Sequence, residues 1–192
     1  MGDEPGEGDH IYQQSVRLTE AVDAARRGDA RGWDVLFERF HADVHAYALA
    51  RLGGWSDAED VTQETFVAAV GSIRNLRDGQ EPVVQAWLLH ICRHKVIDHA
   101  RRKGRQQRTV DLGVAAAPDP ANVAEAKLRA ADMRKALSHL KEDQRDVLVR
   151  RFVLDQSLEE VAAGTGRSVG AVKSMQHRGL AALRRILPAA PA

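Results

Sequence analysis

The sequence predicts an all-α protein: two small helical domains joined by a flexible linker, the second containing a helix-turn-helix. Three observations carry this. Ala, Leu, Arg, Glu and Gln are abundant while alternating β-branched runs are scarce, which favours helix nearly throughout. Apolar residues recur at helical spacing in two blocks, separated by QQRTVDLGVAAAPDPANVA, residues 106–124, which has two prolines, a glycine and no helical period. Near the C-terminus a short helix, a glycine-containing turn and a longer helix follow one another at the spacing of a helix-turn-helix.

The elements are read in chain order. Residues 1–12 open with MGDEPGEGDH, four acids without Lys, Arg or an apolar run, and read as a disordered acidic tail rather than a signal peptide. The first domain is expected over 13–105. From Trp33, the residues Leu36, Phe37, Phe40, Val44 and Tyr47 fall at i+3, i+4, i+7, i+11 and i+14, a buried stripe that ends at Gly53 and Gly54. Ser56 with Glu59 has the spacing of a capping box, and Phe66, Ala69, Val70 and Ile73 supply the next buried face. A polar loop from Arg74 to Pro82 precedes a long helix, about Val83 to Arg102. There Trp87, Leu88, Ile91 and Cys92 face a core, and His90, Arg93, His94, Ile97 and Arg101 lie opposite.

After the linker, the second domain is expected over 125–187, with residues 188–192 as a tail. Leu128, Ala131, Leu137 and Leu140 share one side of its first helix, and Val147, Leu148 and Phe152 belong to the next. Ser157 with Glu160 forms a second capping box for LEEVAAG, which stops at Gly164 and Gly166; Ser168 caps the last helix, which runs to Pro188.

Charge is nearly balanced overall, 28 basic against 27 acidic residues, so any polyanion partner must be argued from where charges sit. They sit unevenly. Arg167 to Leu187 holds Arg167, Lys173, Arg178, Arg184 and Arg185 and no acid, a run able to neutralise phosphates on the helix that would enter a major groove. The long helix of the first domain ends in HARRKGRQQR, more cations than the helix dipole asks for. SDAEDVTQET carries Asp57, Glu59, Asp60 and Glu64 without a basic residue. One acidic and two basic faces imply two kinds of partner.

Other chemistries find little support. His41/His45 and His90/His94 are i, i+4 pairs, but no HExxH or paired cysteines complete a metal site, and no cofactor motif or catalytic signature appears. Cys92 is the single cysteine, so no internal disulfide can form. With no apolar run long enough to span a bilayer, a cytoplasmic protein without membrane insertion is expected.

The quoted segments resemble the extracytoplasmic-function (ECF) sigma factors of the sigma-70 family. DAEDVTQETF (Asp57–Phe66) is similar to their region 2 signature, AWLLHICRHKVIDHARRK (Ala86–Lys103) to the promoter-melting helix, and LKEDQRDVLVRRFVLDQSLEEVAAGTGRSVGAVKSMQHR (Leu140–Arg178) to region 4. The resemblance implies a transcription initiation factor rather than an enzyme, with core RNA polymerase, promoter DNA and an anti-sigma factor as partners. Asp57, Glu59, Asp60, Gln63 and Glu64 would dock on the polymerase. Asn75 and Arg77, in a loop shaping the pocket for a flipped base, together with Arg93, His94, Lys95, Asp98, Arg101 and Arg102, would meet the -10 element. Arg167, Ser168, Ala171, Val172, Lys173, Ser174, Gln176, His177 and Arg178 would sit at the -35 element. The chain departs from the family's usual residues at His94, often Asn, and at GAVKSM, often GTVKSR; Met175 would thereby remove a cation from the recognition helix. The chain ends at Ala192, soon after that helix, so no further C-terminal regulatory domain is expected. A helix-turn-helix regulator acting without polymerase is the alternative.

Overall fold

In the computed structural model, residues 7–107, 133 and 135–187 are described, and they hold helices and connecting turns without a strand. Helices α1 (Glu7–Arg26), α2 (Ala30–Leu52), α3 (Trp55–Ser72) and α4 (Glu81–Gln107) form the first half, with a 3-10 turn at Ile73–Asn75. A helical turn at 135–138 precedes α5 (Glu142–Phe152), α6 (Leu158–Thr165) and α7 (Val169–Ile186) in the second half. The expected linker from 108 onward, the stripe positions Leu128 and Ala131, and the terminal segments 1–6 and 188–192 lie outside the described residues.

The first half is built on α2, whose Leu36, Phe40, Val44 and Tyr47 are almost wholly buried, as the helical period requires. Asp29 caps its start by accepting from the Arg31 amide, and Gly53, at φ 81°, closes its end in the left-handed conformation that glycine adopts without strain. α1 lies across α2 with Leu18, Ala21, Val22 and Ala25 buried. A side chain at Gly32 would put a Cβ 2.4 Å from the Ala21 carbonyl oxygen, so this close crossing depends on glycine. Helix α1 begins inside the segment expected to be a disordered tail.

Several expectations are corrected. Phe37 and Val70 are 44% and 54% exposed, because the buried stripes of α2 and α3 are narrower than their apolar content; Phe37 instead packs its ring, tilted, with its centroid 4.9 Å from that of Phe66. Ser56 and Glu59 form no capping box: α3 begins two residues earlier than that box requires, with Gly54 at its N-cap and no side-chain cap. Phe152 is exposed and lines an open apolar groove with Leu148, Val153 and Leu183. The capping box of Ser157 and Glu160 is present, Ser168 caps α7, and Gly166 in the left-handed region ends α6. No helix among the described residues is long and apolar enough to cross a membrane.

The two halves pack together. α4 lies against α6 and α2 against α5. Val149 of α5 is buried in the first half's core. Gly164, at the end of α6, sits over Ala86 so closely that an added Cβ would lie 3.2 Å from the Ala86 Cβ.

Candidate nucleic-acid and protein interfaces

The acidic face of the first half lies on α3. Asp60 and Gln63 are exposed, while Asp57, Glu59 and Glu64 are partly buried because basic residues of α4 reach across to two of them. Between the helices runs a groove of about 600 Å³, lined by Asp60, Glu64, Lys95, His99 and Lys103 among others. Lys103 donates to Asp57, His99 Nε2 stands 3.2 Å from the same carboxylate, and Arg102 donates to Glu64 at 3.0 Å, with Lys95 Nζ 3.8 Å away. Burial pushes the Asp57 carboxyl up, but the bonds from Lys103 and His99 outweigh it and hold the group below the usual carboxylate range. His99 and Lys103 were not among the sequence-predicted site residues. Their signal was present, since Lys95, His99, Arg102 and Lys103 recur at i, i+4, i+7 and i+8, one stripe of a helix.

The residues expected at the -10 element therefore divide among three surfaces. Lys95 and Arg102 face α3; His94, Asp98 and Arg101 are exposed; Arg93 turns toward the second half. Asn75 and Arg77 are exposed at the 3-10 turn and the loop after it. His90, also exposed, has its pKa lowered, first by desolvation and then by the charges of His94 and Arg93.

On α7, Lys173, Ser174, His177 and Arg178 are exposed, as are Arg167 and Ser168 just before it. Ser168 Oγ is committed to the cap, accepting from the Ala171 amide at 3.2 Å. Ala171 and Gln176 are partly buried, and Gln176 Oε1 accepts from Arg151 Nε at 3.2 Å. Val172 corrects the expectation for the -35 set: it is fully buried with Met175, on the stripe that packs α7 against Val147 and Val161. Met175 likewise faces the core, so this position withdraws no cation from the exposed face.

Where the halves meet, a polar cluster is buried. The Tyr47 hydroxyl donates to Asp146, and Arg51 Nη1 donates to the same hydroxyl at 2.7 Å. The Arg51 and Arg150 guanidinium carbons lie 5.4 and 5.8 Å from the Tyr47 ring centroid. Arg150 Nε donates to Asp146 at 3.3 Å, and Arg51 pairs with Glu142. Burial would raise the Glu142 carboxyl, but Arg51 and Arg145 overcome this and lower it. Beyond it, Gln156 Nε2 donates to Gln85 Oε1 and Gln85 Nε2 to Asp43, each at 2.7 Å.

The His41/His45 and His90/His94 pairs have ring centroids 6.0 and 4.7 Å apart, and among the described residues no group of three or more His, Cys, Asp or Glu is arranged to hold a metal ion. Cys92 is buried, and desolvation pushes its thiol up to about 12.

Comparison with known proteins follows the same division. The family model for Sigma-70 region 2 matches residues 36–106, and that for Sigma-70 region 4 matches residues 136–185. The chain is 32% identical over 182 residues to the ECF RNA polymerase sigma factor BldN of Streptomyces coelicolor, covering 91% of this chain and 67% of that protein. It is 32% identical over 188 residues to the ECF RNA polymerase sigma factor SigD of Mycobacterium tuberculosis, covering 94% and 88% respectively. Among solved structures, CnrH in complex with the cytosolic domain of CnrY superposes with TM-score 0.64 at 26% identity, covering 88% of this chain and 96% of that one. The sigma factor RpoE in complex with the anti-sigma factor NepR, from Bartonella quintana, gives 0.59 at 26% identity, covering 81% and 96%.

Proposed function

The chain belongs to the ECF sigma factors of the sigma-70 family, and on that premise we propose a division of labour among its exposed faces. The α3 face, with Asp57, Glu59, Asp60, Gln63 and Glu64, docks on core RNA polymerase. On α4 the exposed His94, Asp98 and Arg101, with Arg93, Lys95 and Arg102 on the surfaces to either side, meet the -10 element, while Asn75 and Arg77 border the pocket for a base taken out of the stack. The exposed residues Arg167, Ser168, Lys173, Ser174, His177 and Arg178 engage the -35 element, with Ala171 and Gln176 at the edge of that surface. The observation that carries this reading is the order of surfaces along the chain: an acidic helix, then a basic one within region 2, then the basic helix of a helix-turn-helix within region 4.

The chemistry is recognition rather than catalysis. Flipping a base costs a few kcal/mol, which stacking and hydrogen bonds in a pocket offset, so capture of the displaced strand opens the duplex without nucleotide hydrolysis. Early residues of α7 read base edges and its basic residues hold phosphates. The protein works in the cytoplasm, where its polymerase is, and an anti-sigma factor controls it; a relative in the RpoE–NepR complex supports that partner.

Run-off transcription from a library of promoter fragments, with sigma-free core polymerase, tests the proposal. Specific start sites are expected only when this protein is added. No stimulation, together with tight operator binding in the absence of polymerase, would replace it with a stand-alone regulator.

A further inference from the structure

Asp143, in the first turn of α5, has each of its carboxylate oxygens bound by a different arginine. Arg93 Nη2 of α4 lies 2.8 Å from Oδ1, and Arg167 Nη2, from the turn before α7, lies 2.8 Å from Oδ2. Arg93 Nε is also 3.5 Å from Glu142. An acid in a first helical turn normally needs no explanation beyond the helix dipole. The dipole does not account for two arginines from opposite halves of the molecule, 74 positions apart in sequence, converging on one carboxylate.

Both arginines belong to the surfaces assigned above to DNA, one to the -10 and one to the -35 element. Elements named for positions 25 base pairs apart lie roughly 85 Å apart on a duplex rising about 3.4 Å per base pair. Two guanidinium groups sharing a single carboxylate cannot reach both. The two carboxylate oxygens, each holding one guanidinium, offer the arginines the negative charge and oxygen acceptors that backbone phosphates would.

Resting on the proposed function, we infer that Asp143, backed by Glu142, is an intramolecular decoy for the DNA backbone. It occupies one promoter-facing arginine from each half and holds the packed arrangement in a promoter-blind state. The Tyr47–Asp146–Arg51 cluster and Val149 supply the buried contact of that arrangement; Asp143, whose side chain is 45% exposed, supplies the part that competes with DNA.

The test uses the full chain carrying a donor and an acceptor dye at Glu20→Cys and Ala181→Cys, both exposed positions in opposite halves. Energy transfer and binding to a 30-base-pair duplex of arbitrary sequence are measured without polymerase, and energy transfer is then measured again after core polymerase is added. Asp143→Asn is expected to lower the transfer, tighten duplex binding roughly tenfold at 0.1 M salt, and steepen the salt dependence of log K by about two as two phosphate contacts are released to form. Glu159→Gln, the same loss of charge at an exposed position of the second half, is expected to leave transfer unchanged and alter binding less than twofold. Unchanged transfer in Asp143→Asn, or equal effects of the two variants, would overturn the decoy. A decoy effect that persists while core polymerase alters the transfer of neither variant nor wild type would count against the polymerase reading instead.

Discussion

The two halves of the molecule differ in how they are held together. The first buries a continuous core across α1 to α4, from Leu18 through Phe40 and Tyr47 to Val96. The second has two small clusters, one around Val147, Val161 and Val172, the other around Leu140, Leu148 and Leu183. Its Val149 and Leu154 complete their packing in the first half's core rather than its own. The first half gains most of its stability from apolar burial. The second depends more on caps and on polar contacts with its neighbour, because three helices, two of them of 11 and 8 residues, cannot enclose a large core.

Three experiments break or sharpen this contrast. The largest effect is expected from Phe40→Ala, which removes a fully buried ring at the centre of the first half. A loss of about 3–5 kcal/mol in chemical denaturation is expected, with the second half destabilised as well because its Val149 loses its seat. A loss confined to the first half would show that the halves are energetically independent.

A smaller effect, about 1–2 kcal/mol at neutral pH, is expected from Glu142→Gln, which weakens a charged hydrogen bond to the fully buried Arg51 side chain. The pH dependence identifies it. Glu142 has a folded pKa lowered from the ordinary 4.5, so its contribution is complete above that value and is lost as pH falls through the lowered one. Thermal unfolding across pH 3 to 6 should therefore decline less steeply in Glu142→Gln than in the wild type. Parallel declines would remove Glu142 from the interface energetics.

The smallest effect is expected from Ser157→Ala, which deletes the side-chain cap on the Glu160 amide while leaving in place the residue-157 backbone N–H that donates to the Glu160 carboxylate. About 1 kcal/mol should be lost, visible as selective loss of hydrogen-exchange protection in α6.

Much of this was legible in the sequence where the signal is local. The helix-turn-helix could be read from Ser157, Glu160, Gly166 and Ser168 because caps and left-handed turns are decided within a few residues. Leu18, Ala21, Val22 and Ala25 stand at i, i+3, i+4 and i+7 inside the expected first domain, but the start of α1 at Glu7 was not legible, because the acids of residues 1–12 match the composition of a disordered tail. Val172 was assigned to DNA because motif matching does not separate the outer from the inner face of a helix. The spacing of Val172, Met175, Gly179 and Leu183 does, and all four are buried. The contacts of Arg93 with Asp143 and of Tyr47 with Asp146 join residues 50 and 99 positions apart. No local pattern encodes such pairings, since each depends on how two separately folded surfaces come to rest on one another.

The burial of Cys92 has a practical consequence for thiol chemistry. Nucleophilic attack by cysteine requires the thiolate, and a group that holds its proton to about 12 inside a closed core supplies almost none at neutral pH. Oxidants, alkylating reagents and maleimide dyes should therefore pass the native chain by. An engineered surface cysteine can be modified in an otherwise silent background, with the native residue left in place to fill its part of the α4 core.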